Sequence, residues 1–146
     1  METRSLAEFT HEAAAFARAL VPRAEGATVV TLSGDLGAGK TTFVQAAASA
    51  LGVQESVQSP TFVIMQIYDI AASGSGFARL IHIDVYRLEG LRDIEMLGWK
   101  ELVADPRNLI FVEWPERIAG AVPIGAQKVT LTGDGDSRRI TYDSDT

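Results

Sequence analysis

Gly34-Asp35-Leu36-Gly37-Ala38-Gly39-Lys40-Thr41 fits the phosphate-binding pattern G-x-x-x-x-G-K-[ST] at every position. Few folds accommodate such a loop, because it works only between a buried strand and the start of a helix. Both flanks are present. Ala27 to Leu32 is a short apolar, β-branched run that reads as a strand. From Thr42 to Leu51, Phe43, Ala47, Ala50 and Leu51 recur at helical spacing, and Gly52 supplies a stop.

The chemistry expected of this unit follows from its residue types. The glycines let the backbone approach a ligand closely, so that loop amides point inward beside the positive end of the helix. Asp35, Leu36, Gly37, Ala38, Gly39, Lys40, Thr41 and Thr42 are therefore the expected nucleotide-binding residues. Lys40 brings a point charge to the outer phosphates, and the Thr41 hydroxyl is a natural Mg²⁺ ligand.

The 146 residues are expected to form a single P-loop domain over 1–146. A hydrophobic fraction of 47% with 22% charged residues is ordinary for a soluble protein, and no apolar run reaches membrane-spanning length. No secretory layout opens the chain and it has no cysteine, so a cytoplasmic protein without disulfides or thiolate metal sites is expected. The net charge of −6 argues against an extended nucleic-acid surface.

Ser5 and Glu8 form a capping box ahead of a helix whose apolar face is Leu6, Phe9, Ala13, Phe16, Ala17 and Leu20, closed by Pro22. In Ser59-Pro60-Thr61, proline biases the backbone toward an extended form, and Thr61 begins the next strand. Such a threonine either senses a γ-phosphate and Mg²⁺ or belongs to a plain turn, and the residues alone leave both open. Phe62 to Ile70 and Phe77 to Tyr86 read as an antiparallel pair, with His82 as a packed sheet residue and Asp84 near the end. Leu88 to Ala104 is helix-like, with Leu91, Ile94, Leu97 and Leu102 inward, and Gly98 weighs against one unbroken helix. Asn108 to Glu113 is a further apolar strand ending in a carboxylate. Asp84 and Glu113 compete for the metal-binding role, and spacing does not separate them. Trp114 could stack on a base or partner, or cover the sheet edge. Gln127 to Leu131 and Arg138 to Tyr142 form a last hairpin. The expected class is α/β, a mixed sheet around the phosphate-loop strand with helices on its faces.

Four segments together, Gly34 to Thr42, Ser59-Pro60-Thr61-Phe62, His82-Ile83-Asp84-Val85-Tyr86-Arg87-Leu88 and Val112-Glu113-Trp114-Pro115-Glu116, resemble the bacterial TsaE proteins. These are small P-loop ATPases of tRNA modification. The resemblance implies ATP hydrolysis with Mg²⁺, in company with the TsaD and TsaB proteins that install threonylcarbamoyladenosine on tRNA, the ATPase resetting the complex between turnovers. It further implies that Lys40 and Thr41 hold phosphate and Mg²⁺, and that Ser59, Pro60 and Thr61 lie in a switch segment. Asp84 and Glu113 would be the acids at the metal and the attacking water, and Trp114 would be important to function. Transfer RNA would be met only through the partners. Two other classes compete, a small-molecule kinase and a nucleotide sensor without turnover. A GTPase is disfavoured, because Asn108, the only asparagine, is followed by Leu109 and cannot open the usual guanine-reading segment Asn-Lys-x-Asp.

Overall fold

In the computed structural model, residues 1–35, 37–57, 65–71, 74–134 and 137–144 are described. The expected phosphate-loop strand is β2 (Thr28–Ser33), and the loop runs directly into helix α2 (Lys40–Ala50). All but the last residue of β2 are buried, because the strand has neighbours on both edges and helices over both faces.

The remaining elements are β1 (Glu2–Thr3), α1 (Leu6–Ala19), β3 (Met65–Asp69), β4 (Arg79–Asp84), α3 (Leu91–Met96), α4 (Trp99–Ala104), β5 (Asn108–Glu113), a 3-10 turn (Pro115–Ala121), β6 (Gln127–Asp134) and β7 (Ser137–Ser144). One mixed sheet of seven strands has the order β1-β7-β6-β2-β5-β4-β3. β2 runs parallel to both β5 and β6, and β4 runs parallel to β5. The β3–β4 and β6–β7 hairpins are antiparallel, which makes the sheet mixed as expected.

Period-two alternation divides the sheet into two buried faces. Val30, Leu32, Leu80, Leu109, Phe111, Val129 and Leu131 share one core with Phe9, Ala13, Ala17, Phe43 and Ala47 of α1 and α2. Val29, Ile81, Ile83, Ile110 and Val112 share the other with Ile94, Trp99 and Ile118. Helix α1 starts as expected, with the Glu8 amide donating to Ser5 Oγ at 3.1 Å. The glutamate reaches back to the Arg4 amide at 3.2 Å, one residue before the N-cap.

Two local expectations, that Leu6 and Leu91 face inward, need correction. Leu6 is 68% exposed, since it heads α1 where no neighbouring element covers it. The segment from Leu88 to Ala104 is not one helix. Gly98 adopts φ +82° and divides it into two six-residue helices. The expected inward face holds only in part. Leu91 is 44% exposed, whereas Trp99 is buried and its Nε1 donates to Ala121 O at 3.1 Å.

Candidate functional site

The loop after β2 is shaped by two glycines that tolerate no side chain. A Cβ on Gly34 (φ +153°) would lie 2.5 Å from the Leu131 carbonyl oxygen, and one on Gly39 (φ +104°) would lie 3.1 Å from the Phe9 ring. Gly39 is also the N-cap of α2, where its left-handed backbone turns the loop into the helix. The loop thus rests on β6 at one end and on α1 at the other. Ala38 is buried, Asp35 and Gly37 are exposed, and Gly39, Thr41 and Thr42 are half-buried around the helix start. Helix α2 has eleven residues, long enough for its first amides and dipole to favour an anion here. Leu36, and with it Ser59, Pro60 and Thr61, lie outside the described residues.

Lys40 is 5% exposed. Its Nζ donates to the Gly34 carbonyl at 2.5 Å and the Asp35 carbonyl at 3.1 Å. It also lies 4.4 Å from the centroid of the Trp114 ring, a cation–π distance. Burial lowers the Lys40 pKa, while Glu113, Asp84, Asp35 and Glu116 pull it back up.

The two candidate acids are neighbours. β4 and β5 pair in parallel with Asp84 opposite Glu113, so both side chains leave the same face at the same end of the sheet. Both are buried, Asp84 at 8% exposure and Glu113 at 4%. Asp84 Oδ1 accepts from the Tyr86 amide at 2.9 Å, which ties the carboxylate into the turn after β4. Glu113 Oε2 lies 2.5 Å from Nε2 of His82. Each acid therefore has one oxygen engaged, and the other has no hydrogen-bond partner among the described residues. Thr41, Asp84 and Glu113 offer a hydroxyl and two carboxylates, all hard oxygen donors, and this set fits Mg²⁺. Such an ion needs only one or two protein carboxylates, phosphate and water completing its shell.

Burial raises the Asp84 pKa, and Glu113 adds to the rise; the Tyr86 amide, His82 and Lys40 oppose it. A raised native pKa means that the folded chain holds this proton more tightly than the unfolded chain. The associated stability is complete below the ordinary aspartate range and is lost as pH rises through the raised value. In metal-free protein, Asp84→Asn should therefore raise the melting temperature at neutral pH. A gain of about 0.5–2 kcal/mol, the usual scale of a single stabilising substitution, is expected. The gain should shrink as the pH falls below the ordinary aspartate pKa of about 3.9, because the carboxyl is then increasingly protonated in both states. Thermal melts in EDTA at neutral pH and below that pKa check this, and an equal or lower neutral-pH melting point for the variant would count against it.

Trp114 is the one non-glycine residue with positive φ among the described residues (φ 63°, ψ 50°). Its amide donates to Leu32 O at 3.3 Å, fastening the end of β5 to the end of β2, and Pro115 then opens the 3-10 turn. The indole is half-buried and tilted against Tyr86, with ring centroids 4.9 Å apart, and the Arg117 guanidinium sits 5.0 Å from the Tyr86 ring centroid. Of the two roles left open for this residue, a cover is what the resting geometry provides, and it covers Lys40.

Two features were missed in the sequence. His82 is a packed sheet residue as expected, yet it also touches a candidate acid. A hollow of about 400 Å³ beside the loop is lined by Gly34, Asp35, Gly37, Thr132, Gly133 and Arg138, among others. Arg138 donates to the Gly37 carbonyl at 3.4 Å. The pairing of β6 with β2 builds that wall, and no local pattern in the C-terminal hairpin announces it.

Comparison with known proteins gives a consistent picture. Residues 7–141 match the family model described as "Threonylcarbamoyl adenosine biosynthesis protein TsaE". The TsaE protein of Treponema pallidum is 38% identical over 115 residues, covering 79% of this chain and 80% of that protein. The TsaE protein of Bacillus subtilis is 37% identical over 142 residues, covering 97% and 78%. The crystal structure of YdiB from Bacillus subtilis superposes with a TM-score of 0.70 at 31% identity, covering all of this chain and 84% of that one.

Proposed function

Since the chain belongs to the TsaE family, whose members act in tRNA threonylcarbamoyladenosine biosynthesis, we propose that it is a Mg²⁺-dependent P-loop ATPase of that process. In this reading it works in the cytoplasm with the TsaD and TsaB proteins, resets their complex between turnovers, and meets tRNA only through them. The observation that carries the reading is the convergence of Lys40, Asp84 and Glu113 over the start of α2.

The roles follow from position. The loop amides and the first turn of α2 bind the phosphates. Lys40 exchanges the Gly34 and Asp35 carbonyls for phosphate oxygens, which are stronger partners for an ammonium. Thr41 would hold Mg²⁺ together with one of the two acids, and the ion would supply positive charge at the phosphate oxygens. The second acid orients the attacking water with its free oxygen. Buried acids and a buried cation kept together cost stability, a common sign of a site shaped for chemistry. The hollow beside Gly37 and Arg138 offers room for the rest of the nucleotide.

The test is phosphate release from Mg-ATP with no acceptor added, first on the protein alone and then with TsaB and TsaD. Strong stimulation by the pair is expected, and it should fall at least about 100-fold in Glu113→Ala, the scale of a lost transition-state contact. Clear ATP binding without stimulation by a competent pair would overturn the coupling. Phosphate appearing on an added metabolite would point to a kinase.

A further inference from the structure

His82 sits in the body of β4, fully buried, with Gln66 of β3 on one side and Phe111 of β5 on the other. It shares its sheet face with Asp84 and Glu113, the face that packs on α1 and α2. A separation of 2.5 Å between Nε2 and Glu113 Oε2 requires a shared proton, since two bare acceptors would repel. The other ring nitrogen, Nδ1, is buried with no partner among the described residues. A proton there would be an orphaned donor in a sealed environment, which is costly. Nε2 is thus the donor and Glu113 Oε2 the acceptor.

We propose that His82 is a positioning residue for Glu113. It anchors Oε2, fixes the glutamate side chain against the sheet, and leaves Oε1 for the metal or the attacking water. A free glutamate gives up rotamer entropy when it is ordered. The imidazole has already ordered this one before nucleotide arrives, and a group held in place beforehand costs less to align in the transition state. Asp84 receives the matching service from the Tyr86 amide, so the two acids are held by different means: a side chain for Glu113, a turn for Asp84. This role rests on the ATPase reading above.

Glutamine and methionine at position 82 separate positioning from packing. The two are close in volume, and the glutamine amide nitrogen can stand where Nε2 stands, whereas methionine has no donor. Three quantities are compared in the full chain: partner-stimulated kcat and KM for ATP, the affinity for Mn²⁺ in the presence of ADP by electron paramagnetic resonance, and the melting temperature. His82→Met is expected to lower both kcat and Mn²⁺ affinity by about 10–100-fold, the range for losing such an outer contact, while KM for ATP moves less than about twofold. His82→Gln should restore both to within about threefold of wild type. Wild-type values in the methionine variant, or equal losses in both variants in step with their melting temperatures, would overturn the assignment. Should the wild-type protein itself show no stimulated turnover, the ATPase reading fails, and the Mn²⁺ titration still decides the role of His82.

Discussion

On the ATPase reading, Lys40→Ala is expected to abolish partner-stimulated phosphate release, with a loss on the order of 10²–10³-fold or more, since it would remove a positive charge proposed to meet the outer phosphates. Burial disfavours the Lys40 charge, while Glu113, Asp84, Asp35 and Glu116 favour it, and the ammonium also donates to two loop carbonyls beside an indole face. Removing it relieves the desolvation and forfeits the attraction, so the melting temperature should change far less than turnover does. Lost turnover with retained folding would identify Lys40 as a functional cation and not a structural one. Full stimulated turnover in the variant would refute the role.

Phe43→Ala should give the largest loss of stability. Phe43 is fully buried, with ring centroids 6.1 Å from Phe9 and 5.6 Å from Phe16. It joins α1 to α2 in the core behind the phosphate loop, and its amide donates to Gly39 O at 2.8 Å. Truncating a buried phenylalanine costs about 3–5 kcal/mol, and for a chain of this size that lowers the melting temperature by roughly 10–15 °C. Phe43→Leu keeps much of the volume and should cost clearly less. Because the Phe9 ring lies against Gly39, the alanine variant should also weaken nucleotide binding at temperatures where it is still folded. Calorimetry beside ATP titration measures both effects. A fall of under about 1 kcal/mol would mean that the aromatic cluster is not the brace described here.

The parts legible in the sequence are those with a local cause. The phosphate loop is fixed by glycines and a lysine at set spacing, and β2, β4 and β5 are apolar runs whose burial on both faces leaves a plain hydrophobic signature. The mixed sheet followed from two hairpins. That Asp84 and Glu113 could lie side by side was also inferable, because each nearly ends such a run. Their actual register is a non-local fact. So is the reach of His82 to Glu113, which spans 31 residues of chain and joins residues on adjacent strands. A histidine flanked by isoleucines reads as core, and it is core; its second role depends on which strand pairs with β4. Gly98 shows the opposite case, where a local signal was visible but its consequence was not: a left-handed glycine starts a second helix whose first residue, Trp99, is buried.

The position of Trp114 makes the site its own optical reporter. Of the two tryptophans, Trp99 is buried in the second core, while Trp114 is half-buried at the edge of that core and lies against the Lys40 ammonium. Indole emission responds to a nearby cation and to local polarity. If nucleotide draws Lys40 from the ring toward phosphate, as the proposed function requires, the change in fluorescence should come mainly from Trp114 and report the engagement in real time without a label.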